Sequence, residues 1–474
     1  MNIVFVVFDT LRKDCIGVYG EPFWGKVQTP NLDRFAKESL MFTSVYPEVL
    51  PTIPARRSIY TGKRVYPFHR GNFHLKGDFV GAAGWGPIPE EDDTLAEVLQ
   101  ANGYRTGLIS SLYHQFKPSK NYWRGFDQWT FIRGKENDPY RSGLDPTEEE
   151  IRHYLPVEME TSPSKREFIK RVIKNIRNLK HEEDYPVAQV MMESVRWLEE
   201  NKDAKNFFLM VESFDPHEPW NVPAHYREMY DTTTPREQIL SGYSDTRGLP
   251  DELLKRTQAN YSGLVSMCDR WFGYLYESIK NMGLLNDTVV IVTSDHGHSI
   301  GDGNYIGKRG YPSSPEVMDI PLFIKHPSGE GVGKKSGIVI QHNDYFSLVL
   351  GFSGVKYDAK GKGIDGKDFW GSALENRPFR EHVTIGWSSG ITVIEKEWWL
   401  NCKVNGKGAF LYNRKKDPEM KTNIAADNQN IVDHLFSLAV KDANGRFPDF
   451  ILKQSEEGKD YPGCSAIAAK VSGL

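Results

Sequence analysis

Residues 288–303 read TVVIVTSDHGHSIGDG, and this stretch decides the fold. Its first half is a continuous run of mostly β-branched residues without strict polar alternation, the pattern of a strand buried on both faces of a parallel sheet. Directly past that run stand an acid and an imidazole, Asp295 and His296. In open α/β sheets ligands gather at the carboxyl ends of the strands. The N-terminus, MNIVFVVFDT, repeats the arrangement, with Asp9 closing its apolar run.

Working outward, Ile3–Phe8, Arg105–Ser110, Asn206–Ser213, Thr288–Thr293 and Pro321–Lys325 predict strands. The stretches Asn31–Ser39, Thr94–Asn102, Pro186–Asn201 and Asp251–Met282 predict helices, the third carrying Val187, Val190, Met191, Val195 and Leu198 at helical spacing. Strands alternating with helices give an α/β class with a mostly parallel sheet. Glu148 to Lys180 reads as a solvated helical insertion. After about Gly329 the texture changes, and HVTIGWSSGITVIEKEWWLNCKV and AFLYN break at polar turns like antiparallel strands, followed by an amphipathic helix at Asn430–Val440. The expected organisation is a catalytic α/β domain over 1–360, an antiparallel-sheet subdomain over 361–446, and an arm over 447–474 that grips a neighbouring subunit or the molecule's own surface.

The 474 residues allow two or three domains, or one large domain with a satellite, at roughly 150 residues each. With 39% apolar and 12% aromatic residues the chain can fill a dry core, which excludes collagen-like, coiled-coil and disordered readings. A formal charge of −4 provides no basic field for nucleic acid but leaves room for a local pocket of cations and a small anionic substrate. Cys15, Cys268, Cys402 and Cys464 form no CxxC or Cys/His cluster, so neither a disulfide scaffold nor a zinc knuckle is expected. The first apolar run is short, lacks a basic leader and ends on an acid, as a strand does and a signal peptide does not. No stretch of ~18 uncharged apolar residues predicts a membrane span. The expected location is therefore the cytoplasm.

Two carboxylates and an imidazole converging at one sheet edge make a site for a divalent metal, since carboxylate oxygens suit Mg, Mn or Ca and a histidine nitrogen shifts the choice toward Mn or Zn. Each acid alone would more commonly cap the next helix. A third segment is EVLPTIPARRSIYTG, residues 48–62. Pro54 marks a helix start, which puts Thr52 at the N-terminus, where an anion or a developing alkoxide is favoured, with Arg56 one turn in and able to reach back. A capped helix with two solvated arginines explains the same residues equally well. Trp24, Trp85, Trp123 and Trp220 sit in loop-like segments, as pocket walls or simple packing.

FDTLRKDCIGVYG, TPNLDRFAKES, PTIPARRSIYTG, ESFDPHEPW, TSDHGHSIGDGNYIGKRG, DIPLFIKHPSG and FLYNRKKDPEMKTNIA run in order through nearly the whole chain. Together they resemble the sulfatase branch of the alkaline phosphatase superfamily, which includes arylsulfatases, phosphonate monoester hydrolases and phosphodiesterases. The resemblance implies a large α/β domain followed by a smaller domain with a four-stranded antiparallel sheet. It also implies that Asp9, Asp295 and His296 bind one divalent metal with Thr52 as a further ligand, that Arg56 stabilises the nucleophile and the transferred group, and that His217 and Lys308 contact the anion and its leaving oxygen. Bland alternatives are a loop-bracing histidine and surface charge at Lys308 beside Arg309.

Departures from the family pattern matter as much. The signature begins with Thr52 where sulfatases have the cysteine or serine that becomes formylglycine. Threonine cannot yield that aldehyde, so an ordinary ester intermediate is the available route. Thr10 stands where a second acid is common and is open as a weak ligand; Gly303 replaces the usual histidine of that segment, and no ligand set for a second metal is present. One metal with Arg56, Lys308 and His217 suits a substrate of low negative charge. The expected function is hydrolysis of a small phosphodiester or phosphonate monoester through a phosphothreonine, with Mn²⁺ or Zn²⁺ ahead of Ca²⁺ and His217 donating the proton to the leaving alkoxide. A sulfatase working without formylglycine, a phosphoglycerol-type transferase and a non-catalytic relative are the alternatives. The family and the arm point to a homodimer or homotetramer, with no nucleic-acid or membrane partner.

Overall fold

In the computed structural model the described residues are 1–70, 82–117, 119–136, 138–159, 161–239, 243–358 and 363–457. An eight-stranded sheet runs in the spatial order Lys335–Gln341, Leu40–Tyr46, Leu322–Lys325, Thr288–Ser294, Asn2–Phe8, Phe207–Ser213, Arg105–Ser110 and Gln128–Phe131. Leu322–Lys325 is antiparallel to both neighbours and every other pairing is parallel. All five predicted strands are present within a residue at either end. Three strands escape a reading of apolar runs. Gln128–Phe131 and Lys335–Gln341 are the sheet's edges and carry exposed positions, and Leu40–Tyr46 breaks its apolar pattern at Thr43 and Ser44.

Period-two alternation divides the interior into two cores. Val4, Val6 and Phe8 face the helices Pro186–Asn201 and Asp251–Asn281, while Ile3, Phe5 and Val7 face Thr52–Thr61, Leu95–Ala101 and Asp344–Ser353. Trp197 lies so close to the sheet that a Cβ on Gly107 would come within 2.5 Å of its ring, which requires glycine there. Thr94, expected inside a helix, instead caps it: its hydroxyl accepts from the Glu97 N–H while the Glu97 carboxylate accepts from the Thr94 N–H.

A second sheet is antiparallel, in the order His382–Trp387, Gly390–Glu395, Trp398–Lys403 and Phe410–Asn413. The helix Gln429–Asp442 covers it with Val432, Leu435 and Ala439. Phe447 and Ile451 of the expected arm join the same core, so this part of the arm packs on its own chain. Residues 458–474 with Cys464, and the expected boundary at 360 and 361, lie outside the described residues. The insertion carries the helices Glu148–Tyr154 and Pro163–Ile176, but it is not wholly solvated: Ile151, Leu155, Ile169, Val172 and Ile173 close a small core with Ile239. Cys15, Cys268 and Cys402 are buried free thiols. Among the described residues no helix is long and apolar enough to cross a membrane.

Candidate active site

The parallel register builds the site. Phe8 is level with Ser294 on one side and with Ser213 on the other, so Asp9 and the Asp295–His296 pair leave adjacent strands at the same height. Thr10 follows in a left-handed conformation, φ 58°, which is unfavourable for a β-branched residue. Two contacts hold it: its N–H donates to Asp295 Oδ1 at 3.0 Å, and its carbonyl accepts from the Tyr261 hydroxyl at 2.8 Å.

Across the strand ends lies the helix Thr52–Thr61, with Thr52 as its first residue, as Pro54 predicts. Thr52 Oγ1 is 3.3 Å from His296 Nε2. Arg56 is not a solvated helix arginine: it is fully buried, its Nη1 lies 2.5 Å from Asp295 Oδ2 and 3.1 Å from Asp9 Oδ2, and its Nε donates to Glu212. Tyr60 and Gln115 donate to the other Glu212 oxygen at 2.6 and 3.0 Å. Glu212 went unread in the sequence, although it is an acid in the otherwise apolar run FFLMVE.

Electrostatics follow from this enclosure. Burial, then the neighbouring Asp295, pushes the Asp9 carboxyl well above its ordinary range, and Arg56 and Lys308 offset only part of that. Burial also works against ionisation of Asp295, but His296, Arg56 and the Thr10 N–H together hold it well below the usual carboxylate range. Burial lowers His296 to about 3, so its ring is neutral. Its Nδ1 donates to the Gly297 carbonyl at 2.9 Å, which leaves the Nε2 lone pair facing Thr52 and Asp295.

This set fits a divalent cation. Ligand atoms of Asp9, Asp295 and His296 lie within 4.8 Å of one another. Neither Asp9 oxygen accepts a hydrogen bond among the described residues, and the Thr10 hydroxyl is likewise without a partner. The carboxylates of Asp9, Asp295, Glu212 and the nearby Glu218 against the Arg56 guanidinium and the Lys308 ammonium also leave two buried negative charges, which a divalent ion would neutralise.

The remaining expected residues meet beside this cluster. Lys308 Nζ is 2.8 Å from His217 Nε2, and it bears electrostatically on Asp9, Asp295 and His296. His217 is buried against Phe214, ring centroids 4.2 Å apart, and burial holds it well below its ordinary value. Gly303 takes a left-handed turn, φ 53°, and the neighbouring Asp302 pairs with Arg12 rather than entering the cluster. Of the loop tryptophans, Trp85 and Trp220 are buried, Trp220 edge-on to Tyr261 and His298; Trp24 lies against the Arg12 guanidinium, and Trp123 is exposed.

The sulfatase family model matches residues 1–355. The chain belongs to the sulfatase family. It is 26% identical over 482 residues to an arylsulfatase of Clostridium perfringens, covering 94% of this chain and 95% of that protein. It is also 26% identical over 367 residues to the multifunctional alkaline phosphatase superfamily protein PehA of Trinickia caryophylli, covering 68% of each. The phosphonate monoester hydrolase of Agrobacterium radiobacter has the same fold, with a TM-score of 0.71 at 19% identity over 94% of this chain and 96% of that one. The fold of this sulfatase-family chain is thus alkaline-phosphatase-like, and the chain is a hydrolase of sulfuric or phosphoric ester bonds. Members of the family bind a divalent metal.

Proposed function

We propose that this sulfatase-family hydrolase cleaves a small, singly charged phosphodiester or phosphonate monoester through a covalent phosphothreonine at Thr52. The observation that carries the reading is a threonine hydroxyl at a buried helix N-terminus, 3.3 Å from the free nitrogen of His296 and one turn from the buried Arg56. Asp9, Asp295, His296 and Thr52 Oγ1 would hold the metal, with Mn²⁺ or Zn²⁺ matching three oxygens and one imidazole nitrogen. When bound, a divalent ion lowers the pKa of the Thr52 hydroxyl and offsets charge on the transferred group.

Thr52 loses its proton to water, and its Oγ1 then attacks phosphorus, aided by the positive end of its helix and by Arg56. The bond from phosphorus to the leaving oxygen breaks, and that oxygen takes a proton from the Lys308–His217 pair. The family resemblance points to His217 as donor. The geometry supports a resting proton on Lys308 Nζ, because His217 Nδ1 faces the Glu218 carbonyl at 2.7 Å, must therefore carry the ring hydrogen, and leaves Nε2 as an acceptor for Lys308. In the second step water attacks phosphorus and gives a proton back to that pair, the bond from phosphorus to Thr52 Oγ1 breaks, and that oxygen recovers from solvent the proton it gave up in the first step.

The likeness to an arylsulfatase over nearly the full length favours a second reading, sulfate-ester hydrolysis without formylglycine. A sulfothreonine would have to be cleared by water attacking sulfur, a harder step than attack on a phosphothreonine. The deciding experiment offers metal-stripped protein, resupplied with Mn²⁺, Zn²⁺ or Ca²⁺, a matched aryl phosphodiester and aryl sulfate, with Thr52→Ala alongside. Faster phosphodiester cleavage that falls at least ~10³-fold in Thr52→Ala is expected. Sulfate preference overturns the substrate assignment, and turnover retained by Thr52→Ala overturns the nucleophile.

A further inference from the structure

Beside the reacting cluster stands an acid that the reaction above does not use. Glu218, between His217 and Pro219, is nearly buried, and its Oε2 lies 3.2 Å from His217 Nδ1 and 3.2 Å from His298 Nε2. The two histidines come from different loops, one following the strand Phe207–Ser213 and one following Thr288–Ser294. Aromatic rings fix both: Phe214 stacks on His217, Tyr243 stacks on His298 with centroids 5.9 Å apart, and Trp220 meets His298 edge-on at 5.1 Å.

We propose that Glu218 is a positioning residue for proton transfer to the departing oxygen, tying His217 to His298 and holding His217 Nε2 on the Lys308 ammonium. The inference rests on the hydrolase reading given above and adds to it a residue that acts through His217 rather than on the substrate. Its logic is one of acceptors. His217 Nδ1 donates to the Glu218 carbonyl at 2.7 Å, while the Glu218 carboxylate stands at 3.2 Å as a charge contact without a hydrogen bond, and neither oxygen can donate. The ring hydrogen is thereby fixed on Nδ1 and the lone pair on Nε2, where Lys308 Nζ stands at 2.8 Å. Without the carboxylate, the ring keeps its hydrogen bond to the backbone carbonyl but loses the charge contact that links it to His298, and Lys308 meets a less firmly held partner.

A carboxylate this enclosed is unfavourable unless its neighbours compensate it, and the Lys308 ammonium and the ring nitrogens of His217 and His298 are what bear on it. Glu218 therefore couples the segment 214–220 to the segment 295–308 at the point where the leaving oxygen must be protonated, while the metal-binding cluster is organised separately by Arg56 and Glu212.

The test separates positioning from scaffolding by its dependence on the leaving group. Wild type, Glu218→Gln and Glu218→Ala are assayed at saturating metal on aryl esters running from para-nitrophenyl, which departs with little help, to phenyl, which needs the proton. The expected result is a fall in kcat on the phenyl ester at least ~10-fold greater than that on the para-nitrophenyl ester, larger in Glu218→Ala than in Glu218→Gln, with KM nearly unmoved. An equal loss across the series, or no loss, overturns the proposal, whether or not the melting temperature has fallen. If Glu218→Ala fails to fold, the isosteric Glu218→Gln decides alone. The series is run on whichever ester class the wild type turns over, so a preference for sulfate would remove the phosphodiester assignment while leaving this comparison intact.

Discussion

Replacing Asp9 by Asn should move the protein's stability in opposite directions with and without metal. The substitution conserves the shape of the side chain and deletes one of the three carboxylates that face Arg56. In the metal-free protein that carboxylate is a burden, enclosed, beside Asp295, and accepting no hydrogen bond. Its removal should stabilise the apoprotein by about 1–3 kcal/mol. With metal the balance reverses, because a ligand held at a hundredfold excess over Kd adds about 2.7 kcal/mol to the wild type and little to a variant lacking an anionic ligand. Melting entropy of roughly 2.1 cal/mol/K per residue comes to about 1 kcal/mol/K for 474 residues. In EDTA the variant should therefore melt about 1–3 °C above wild type; with Mn²⁺ or Zn²⁺ the wild type should rise by about 3 °C and the variant should stay in place. Thermal melts monitored by circular dichroism read both. A variant that melts below wild type under both conditions, or that shifts with metal as the wild type does, refutes the charge argument and the assignment of Asp9 as a ligand.

Arg56→Lys should cost about 3–5 kcal/mol of stability and at least ~100-fold in turnover, because a point-like ammonium cannot meet Glu212 and Asp295 on two sides as the planar guanidinium does; melting within about 1 °C of wild type would contradict this. Away from the site, burial pushes Glu237 up to about 7 against the pull of Arg227. The unfolded chain gives up this proton first, so wild type should lose stability as pH rises from about 4.5 to about 7, by up to about 3 kcal/mol. Glu237→Gln escapes that loss and should melt above wild type at about pH 8 and level with it at about pH 4; an equal difference at both pH values would show that the carboxyl does not titrate in this window.

Much of the fold is legible because a strand buried on both faces carries a continuous apolar run, as Asn2–Phe8, Phe207–Ser213 and Thr288–Ser294 do between their polar ends. The edges Gln128–Phe131 and Lys335–Gln341 are under no such constraint and blend into loops. At the site, Asp9, Asp295 and His296 stand out as polar residues that stop apolar runs, and Pro54 gives away the helix that presents Thr52 and Arg56. Glu212 stops an apolar run in the same way, but no motif marks its partner, and only the packing of Thr52–Thr61 across the strand ends puts Arg56 against it. The meeting of His217 with Lys308, 91 positions apart in the chain, has no local signal at all. Glu218 and His298 acquire a meaning only once their two loops lie side by side.

Charge and nucleophile narrow the proposed substrate by separate arguments. With a divalent ion bound, its two charges together with Arg56 and Lys308 balance the carboxylates of Asp9, Asp295, Glu212 and Glu218, so that the site is neutral before a substrate enters. A singly charged ester adds one negative charge to that enclosed volume, whereas a phosphomonoester dianion adds two where Asp9 is already the acid least tolerant of further negative charge. Charge thus selects monoanions as a class, and phosphodiesters, phosphonate monoesters and sulfate esters all belong to it. On the proposed mechanism, choice within the class falls to Thr52, whose ester with phosphorus would be cleared by water at the phosphorus atom with Arg56 and Lys308 in attendance. Its ester with sulfur has no such assistance from a gem-diol, because threonine has no aldehyde to hydrate. A single residue at the start of one helix therefore separates the reactions that the rest of the cluster leaves equivalent.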